Sequence, residues 1–152
     1  MIALLAAVTL AGCGNGGERL SKQAFLTKGK AICERTQERI ANASEQTFTQ
    51  EGSIPGAEQV QSFVDDSLVP AFKEELDGLE DLKEPKDDES LVKEIIKAGR
   101  DGIDELSTRG ELILNRAENP LNRYENMAQN YGLTSCGDIP EQTQRALAGL
   151  RH

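Results

Sequence analysis

The chain has 152 residues, a net charge of −9, 28% charged and 38% hydrophobic residues, no Trp, four Phe and two Tyr. That length predicts one domain. The composition predicts a polar-surfaced body with a core of Leu, Ile, Val and Ala, not a membrane-spanning one. The charge is concentrated, at +2 over residues 18–50, −11 over 51–106 and zero over 107–152; this lacks the basic footprint that nucleic acid requires, and an anionic lipid surface would repel the middle of the chain.

Ile2 to Gly12 is an apolar run of small and aliphatic residues. It is shorter than the roughly 20 residues that span a bilayer, and has the length of a signal-peptide core. It closes on Leu10-Ala11-Gly12-Cys13, which resembles the lipobox of bacterial lipoprotein signal peptides. The resemblance implies a cleaved signal peptide over residues 1–12 and a diacylglyceryl thioether on Cys13. Cys13 then becomes the mature N-terminus, held by its lipid at the extracytoplasmic face of the cell membrane. Small residues before the cut suit a narrow peptidase cleft, and the cysteine sulfur is the nucleophile that takes the lipid. More than one acyl chain makes such an anchor stable. No Lys or Arg precedes the run, whereas signal peptides open on a positive stretch, which predicts a start site further upstream. Gly14-Asn15-Gly16-Gly17 follows, so residues 13–20 read as a flexible lipidated tether to a domain over 21–152.

The body reads as four helical segments. The first spans about Ser21 to Phe48, with Ser21 as N-cap and Leu20 and Phe25 as a hydrophobic staple. Phe25, Ile32, Cys33, Thr36, Ile40 and Ala43 recur at helical spacing and mark its core face. Gly52 and Pro55-Gly56 break the chain. The second segment spans about Ala57 to Leu82, with Val60, Phe63, Val64, Leu68, Phe72, Leu76 and Leu79 on one face. Pro70 inside it lacks a backbone donor and crowds the preceding turn, which predicts a kink or break near Leu68.

Pro85 and Asp87-Asp88-Glu89 open the third segment, whose acids suit the positive end of the helix dipole and read as a solvated start. It extends to about Leu114 with Leu91, Ile95, Ala98, Gly102 and Leu106 inward. Gly99 and Gly102 weaken it by about 1 kcal/mol each relative to Ala and permit a close neighbour. The fourth segment starts with Asn119 as cap and Pro120 at the first helical position. Leu121, Tyr124, Ala128 and Tyr131 form its stripe, and Gly132 its stop. A short helix is expected between Pro140 and Leu150. No run alternates with period two over a strand's length, so the fold class is all-α: an antiparallel bundle of about four helices with one disulfide.

Cys33 and Cys136 are the remaining cysteines. They lack the spacing of a zinc motif, and the single histidine is His152, so no metal set is visible. In an oxidising compartment the pair reads as a structural disulfide closing a loop of about 100 residues, worth nominally 4–5 kcal/mol. A reactive thiol pair is the alternative.

The body also has a resemblance of its own. Leu20-Ser-Lys-Gln-Ala-Phe-Leu26, Ala31-Ile-Cys33, Val69-Pro70-Ala71, Glu84-Pro85 and Tyr131-Gly-Leu-Thr-Ser-Cys136 resemble an uncharacterised family of small exported helical proteins from actinobacteria. It implies pairing of Cys33 with Cys136, and it implies no activity.

Nothing in the sequence outweighs the ordinary reading of its polar residues. The carboxylates belong to acidic helix faces, not a glycosidase pair. A Ser-His-Asp set would need the terminal His152. Asp87-Asp88-Glu89 lacks the ordered spacing of a calcium loop. The expectation is a non-enzymatic module without a cofactor, bound to the membrane through its lipid and to another envelope protein or polymer. The alternative is a small-ligand carrier with a pocket between helices, opened by Pro70 and by Gly99 and Gly102.

Overall fold

A computed structural model describes residues 19–49 and 53–149. Leu10, Ala11, Gly12, Cys13 and His152 lie outside the described residues, as does most of the expected tether. Among the described residues there is no strand, and no helix is long and apolar enough to cross a membrane.

Helix α1 spans Lys22–Thr47. The Ser21 side chain accepts the Ala24 N–H at 3.2 Å, the N-cap bond that satisfies an otherwise orphaned donor. Arg19 and Leu20 belong to the domain rather than to a free tether. The Leu20 N–H donates to the Lys83 carbonyl at 3.1 Å, Leu20 packs on the core, and Arg19 pairs with Glu89 at 2.7 Å. The buried face of α1 is wider than the predicted stripe: it adds Gly29, Ala41 and Ser44, while Ile32 and Ala43 are only partly covered.

The second segment is not broken at Leu68. Helix α2, Ala57–Phe63, runs into a π turn over Val64–Leu68, and α3 continues over Val69–Asp81. The Val69 N–H reaches back to the Val64 carbonyl. This wider turn accommodates Pro70, which has no N–H to offer and whose ring would collide with a tight preceding turn. The chain thereby keeps Val60, Phe63, Val64, Leu68, Phe72, Leu76 and Leu79 all buried.

A 3-10 turn, Lys86–Asp88, leads into α4, Glu89–Thr108. The third segment therefore ends earlier than its pattern suggests, and residues Gly110–Leu114 form a separate 3-10 turn. Arg109 leaves the helical region at φ −141° and ψ 65°, and the Gly110 N–H is then held by Gln61 Oε1 at 3.1 Å. Leu91 is 42% exposed, whereas its neighbour Val92 is buried. Leu91 lies at the margin of the buried arc in the first turn, so the arc is set by Val92, Ile95, Gly99, Gly102 and Ile103.

Helix α5 spans Asn122–Tyr131, two residues later than the cap at Asn119 suggests. Leu121, not Asn119, is the N-cap residue; the Asn119 Oδ1 accepts the Leu121 N–H at 3.0 Å and forms a turn ahead of the helix. The helix stops at Gly132, whose φ of 113° is the left-handed geometry a glycine adopts without strain. A short helix α6, Glu141–Leu147, is the last helix among the described residues.

The helices pack antiparallel, as the order of cross-helix contacts shows. Gly29 faces Leu79 while Arg39 pairs with Glu74, which fixes α1 against α3. Gly99 faces Leu76 while Lys93 reaches Glu84, which fixes α4 against α3. Gly102 meets Pro120 and Leu121 while Asp88 meets Tyr131, which fixes α5 against α4. The core draws on every helix. Phe25 packs edge-on against Tyr131 with ring centroids 6.2 Å apart, and Phe48 stacks obliquely on Phe63 at 4.9 Å.

Candidate functional site

The Cys33–Cys136 disulfide forms as expected, with a Cα–Cα distance of 4.9 Å. It pins the middle of α1 to the segment just beyond α5, and both cysteines are fully buried. Gln37 Nε2 donates to the Ser135 carbonyl at 2.7 Å and holds the same junction together.

Beside the disulfide lies a carboxyl that the sequence reading passed over. Glu75 of α3 is only 1% exposed. Its Oε1 accepts from the Tyr124 hydroxyl at 2.7 Å and from the Gly137 N–H at 3.3 Å. Its Oε2 has no hydrogen-bond partner among the described residues. The Thr36 hydroxyl also favours the charged carboxylate, and it stands 3.3 Å from the Ile32 carbonyl as an alternative acceptor. Burial wins over these bonds and pushes the Glu75 carboxyl up to about 7. The Tyr124 hydroxyl is held well above its usual range by burial and then by the adjacent carboxyl.

The surroundings are built to hold this group. Gly137 has φ +78°, and a Cβ there would stand 2.7 Å from the Tyr124 ring and 2.9 Å from the Glu125 backbone, so only glycine brings its N–H to Glu75. One ligand-type atom from each of Cys33, Glu75 and Cys136 lies within 4.8 Å of the others. A sequence signal for Glu75 did exist: it sits at helical spacing from Phe72 and Leu79, and a buried tyrosine hydroxyl needs a partner. The three residues lie on three separate segments, so no spacing rule joins them.

Two clefts lie near chemistry-bearing groups. One, of about 260 Å³, opens between α1 and α3 over Thr36, Ala71 and Glu75, with Arg35 and Arg39 also lining it. The other, of about 280 Å³, lies at the α5–α6 end. Ile113, Ile139 and Leu147 are its buried apolar residues, and Ile54, 76% exposed, and Leu114, 47% exposed, stand on its rim. Arg116, Glu125 and Asp138 supply charge there. Burial raises the Glu125 carboxyl, with the neighbouring Asp138 charge adding to it, and burial likewise raises Asp138.

Two of the three positions expected to open a carrier pocket, Gly99 and Gly102, face packed neighbours instead. A Cβ at Gly99 would lie 2.5 Å from Leu76, and one at Gly102 would lie 2.9 Å from the Pro120 carbonyl. Both glycines therefore serve close helix packing. Nor is the start of α4 merely solvated. Asp88 accepts from the Tyr131 hydroxyl at 2.8 Å and pairs with Lys22 at 3.3 Å, and the Lys22 ammonium sits 4.4 Å above the Tyr131 ring. Comparison with protein-family models, curated proteins and solved structures finds no match to this chain.

Proposed function

We infer that this chain is a lipid-anchored domain on the extracytoplasmic face of a membrane, attached through Cys13, and that it acts as a non-enzymatic interaction module for another envelope protein. The observation that carries the interaction reading is the half-open cleft of about 280 Å³ at the α5–α6 end, with Ile54 and Leu114 on its rim. A cleft open on one side, with two exposed apolar residues on its rim, suits an apolar side chain of a partner. Two carboxyls beside a single Arg116 give it a negative bias. The occupant is therefore a partner segment with an apolar side chain next to a cation.

The test places a photo-crosslinking residue at Leu114 of the full chain in native envelopes. A discrete adduct is expected, and a Leu/Lys peptide should compete for it while a Leu/Glu peptide does not. Crosslinking that is unchanged by Ile54→Glu and by Asp138→Lys would refute the cleft as the docking point. The lipid anchor has its own test: Cys13→Ser should move the protein to the soluble fraction, and a mutant that stays in the membrane after a high-salt wash would rule the anchor out.

A further inference from the structure

The buried carboxyl and the disulfide lie side by side in the core, apart from its other buried polar pair, Ser44 and Thr143. Cys33 comes from the middle of α1, Glu75 from α3 and Cys136 from the segment after α5, and all three are buried. In the disulfide form the sulfurs are bonded to each other and offer no thiolate. One carboxylate oxygen of Glu75 is left over. We propose that the dithiol form of this domain binds one thiophilic divalent cation of the zinc class through Cys33 Sγ, Cys136 Sγ and Glu75 Oε2, and that closing the disulfide releases it.

The donor set fits that ion. Two thiolates and a carboxylate are ligands for zinc, which takes four in a tetrahedron and leaves one position here for water. The rest of the carboxyl is already oriented: Tyr124 and Gly137 occupy Oε1 at 2.7 and 3.3 Å, which leaves Oε2 for the metal. The cleft over Thr36, Ala71 and Glu75 reaches the carboxyl from outside, past Arg35, Arg39 and Glu74, while neither cysteine lines it. The sulfurs must separate to about 3.8 Å, the edge of a tetrahedron with roughly 2.3 Å bonds. Cys136 lies between α5 and α6, outside either helix, and rotation of the two cysteine side chains parts the sulfurs while Gln37 keeps hold of Ser135 and Gly137 keeps hold of Glu75. A buried carboxylate with an unused oxygen is costly in a disulfide-bonded core, and becomes a ligand in the reduced one.

The chemistry balances. Two electrons from an external dithiol cleave the Cys33–Cys136 bond and leave two thiols, while the dithiol becomes a disulfide. Metal uptake then releases both thiol protons, along with the Glu75 proton when it carries one. In the reverse direction an external disulfide accepts the two electrons, the Cys33–Cys136 bond re-forms and the cation leaves.

The full chain in detergent micelles is reduced with a water-soluble phosphine, freed of it, and titrated anaerobically with Co²⁺ and then Zn²⁺. The proposal expects one Co²⁺ per chain, a thiolate-to-cobalt charge-transfer band with tetrahedral ligand-field bands, displacement by Zn²⁺, and no binding by the oxidised chain. Glu75→Gln should weaken binding at least tenfold and alter the ligand-field bands, while Glu75→Asp keeps a carboxylate and retains part of the affinity. Should the reduced chain lose helix, zinc must restore it in the far-UV spectrum. Absence of the charge-transfer band, a helix signal indifferent to zinc, or equal affinity and spectra for wild type and Glu75→Gln would overturn the proposal.

Discussion

Glu75→Gln isolates the cost of the buried carboxyl in the disulfide-bonded protein. The wild-type carboxyl is raised from 4.5 to about 7 in the folded chain. Between those values the native state holds a proton that the unfolded state has released. Stability therefore falls as pH rises through this window and is level above it. At about 1.4 kcal/mol per pH unit the loss is about 3 kcal/mol, or roughly 10 °C in melting temperature for a chain of this size. Glutamine keeps an oxygen for Tyr124 and Gly137 but does not titrate. Its amide adds a donor at the Oε2 position, which costs about 1–3 kcal/mol if it stays unsatisfied. The variant is thus expected to be less stable near pH 4.5 and to close that gap by about 3 kcal/mol on the way to pH 8. Guanidinium unfolding followed by far-UV circular dichroism at half-unit pH steps measures both curves. The other carboxylates contribute equally to each and cancel in the difference. Parallel curves from pH 4.5 to 8 would refute the reasoning, because they would mean that Glu75 titrates alike in the folded and unfolded chains.

Four further outcomes follow from named contacts. Reducing the Cys33–Cys136 bond, which spans 103 positions, should cost about 4–5 kcal/mol in the chain-entropy model; non-reducing peptide mapping checks the bond itself, and recovery of both residues as free thiols would contradict it. Gly102→Ala should destabilise by about 1–3 kcal/mol, because its Cβ meets the Pro120 carbonyl at 2.9 Å and backbone yields poorly. Gly56→Ala has nothing within 4 Å and should stay within about 0.5 kcal/mol of wild type in the same denaturation assay. Modest salt should stabilise the fold by screening the −11 charge of residues 51–106, with Ca²⁺ and Mg²⁺ equivalent at matched ionic strength in the oxidised protein; a saturable, calcium-selective isotherm would contradict that.

Local signals carried much of the fold. Helical spacing located every buried residue named for the second segment, Ser21 and Gly132 closed their helices as caps, and the Leu121, Tyr124, Ala128 and Tyr131 stripe is buried throughout. These features are decided within one or two turns of chain, by backbone groups that need partners and by apolar side chains that share a face. The π turn before Pro70 is intermediate: the proline announced a disturbance near Leu68, but only the demand to keep Leu68 and Phe72 both buried selected a wider turn over a break.

The candidate site was decided elsewhere. Glu75 reads in sequence as one more acid in an acidic segment, and it becomes a buried carboxyl only because α3 is covered by α1 on one side and by α5 and its following loop on the other. Gly99 and Gly102 could have opened a pocket or closed a helix contact, and the positions of Leu76 and Pro120 settled that choice. Asp88 looked solvated until Tyr131 and Lys22 arrived from other helices. The sequence by itself determined where the helical segments lie to within a turn or so, because helix formation depends mostly on neighbours along the chain. Which polar groups are taken out of water, and which three donors end up around one point, depended on contacts between segments far apart in sequence. That is a property of the packed bundle alone.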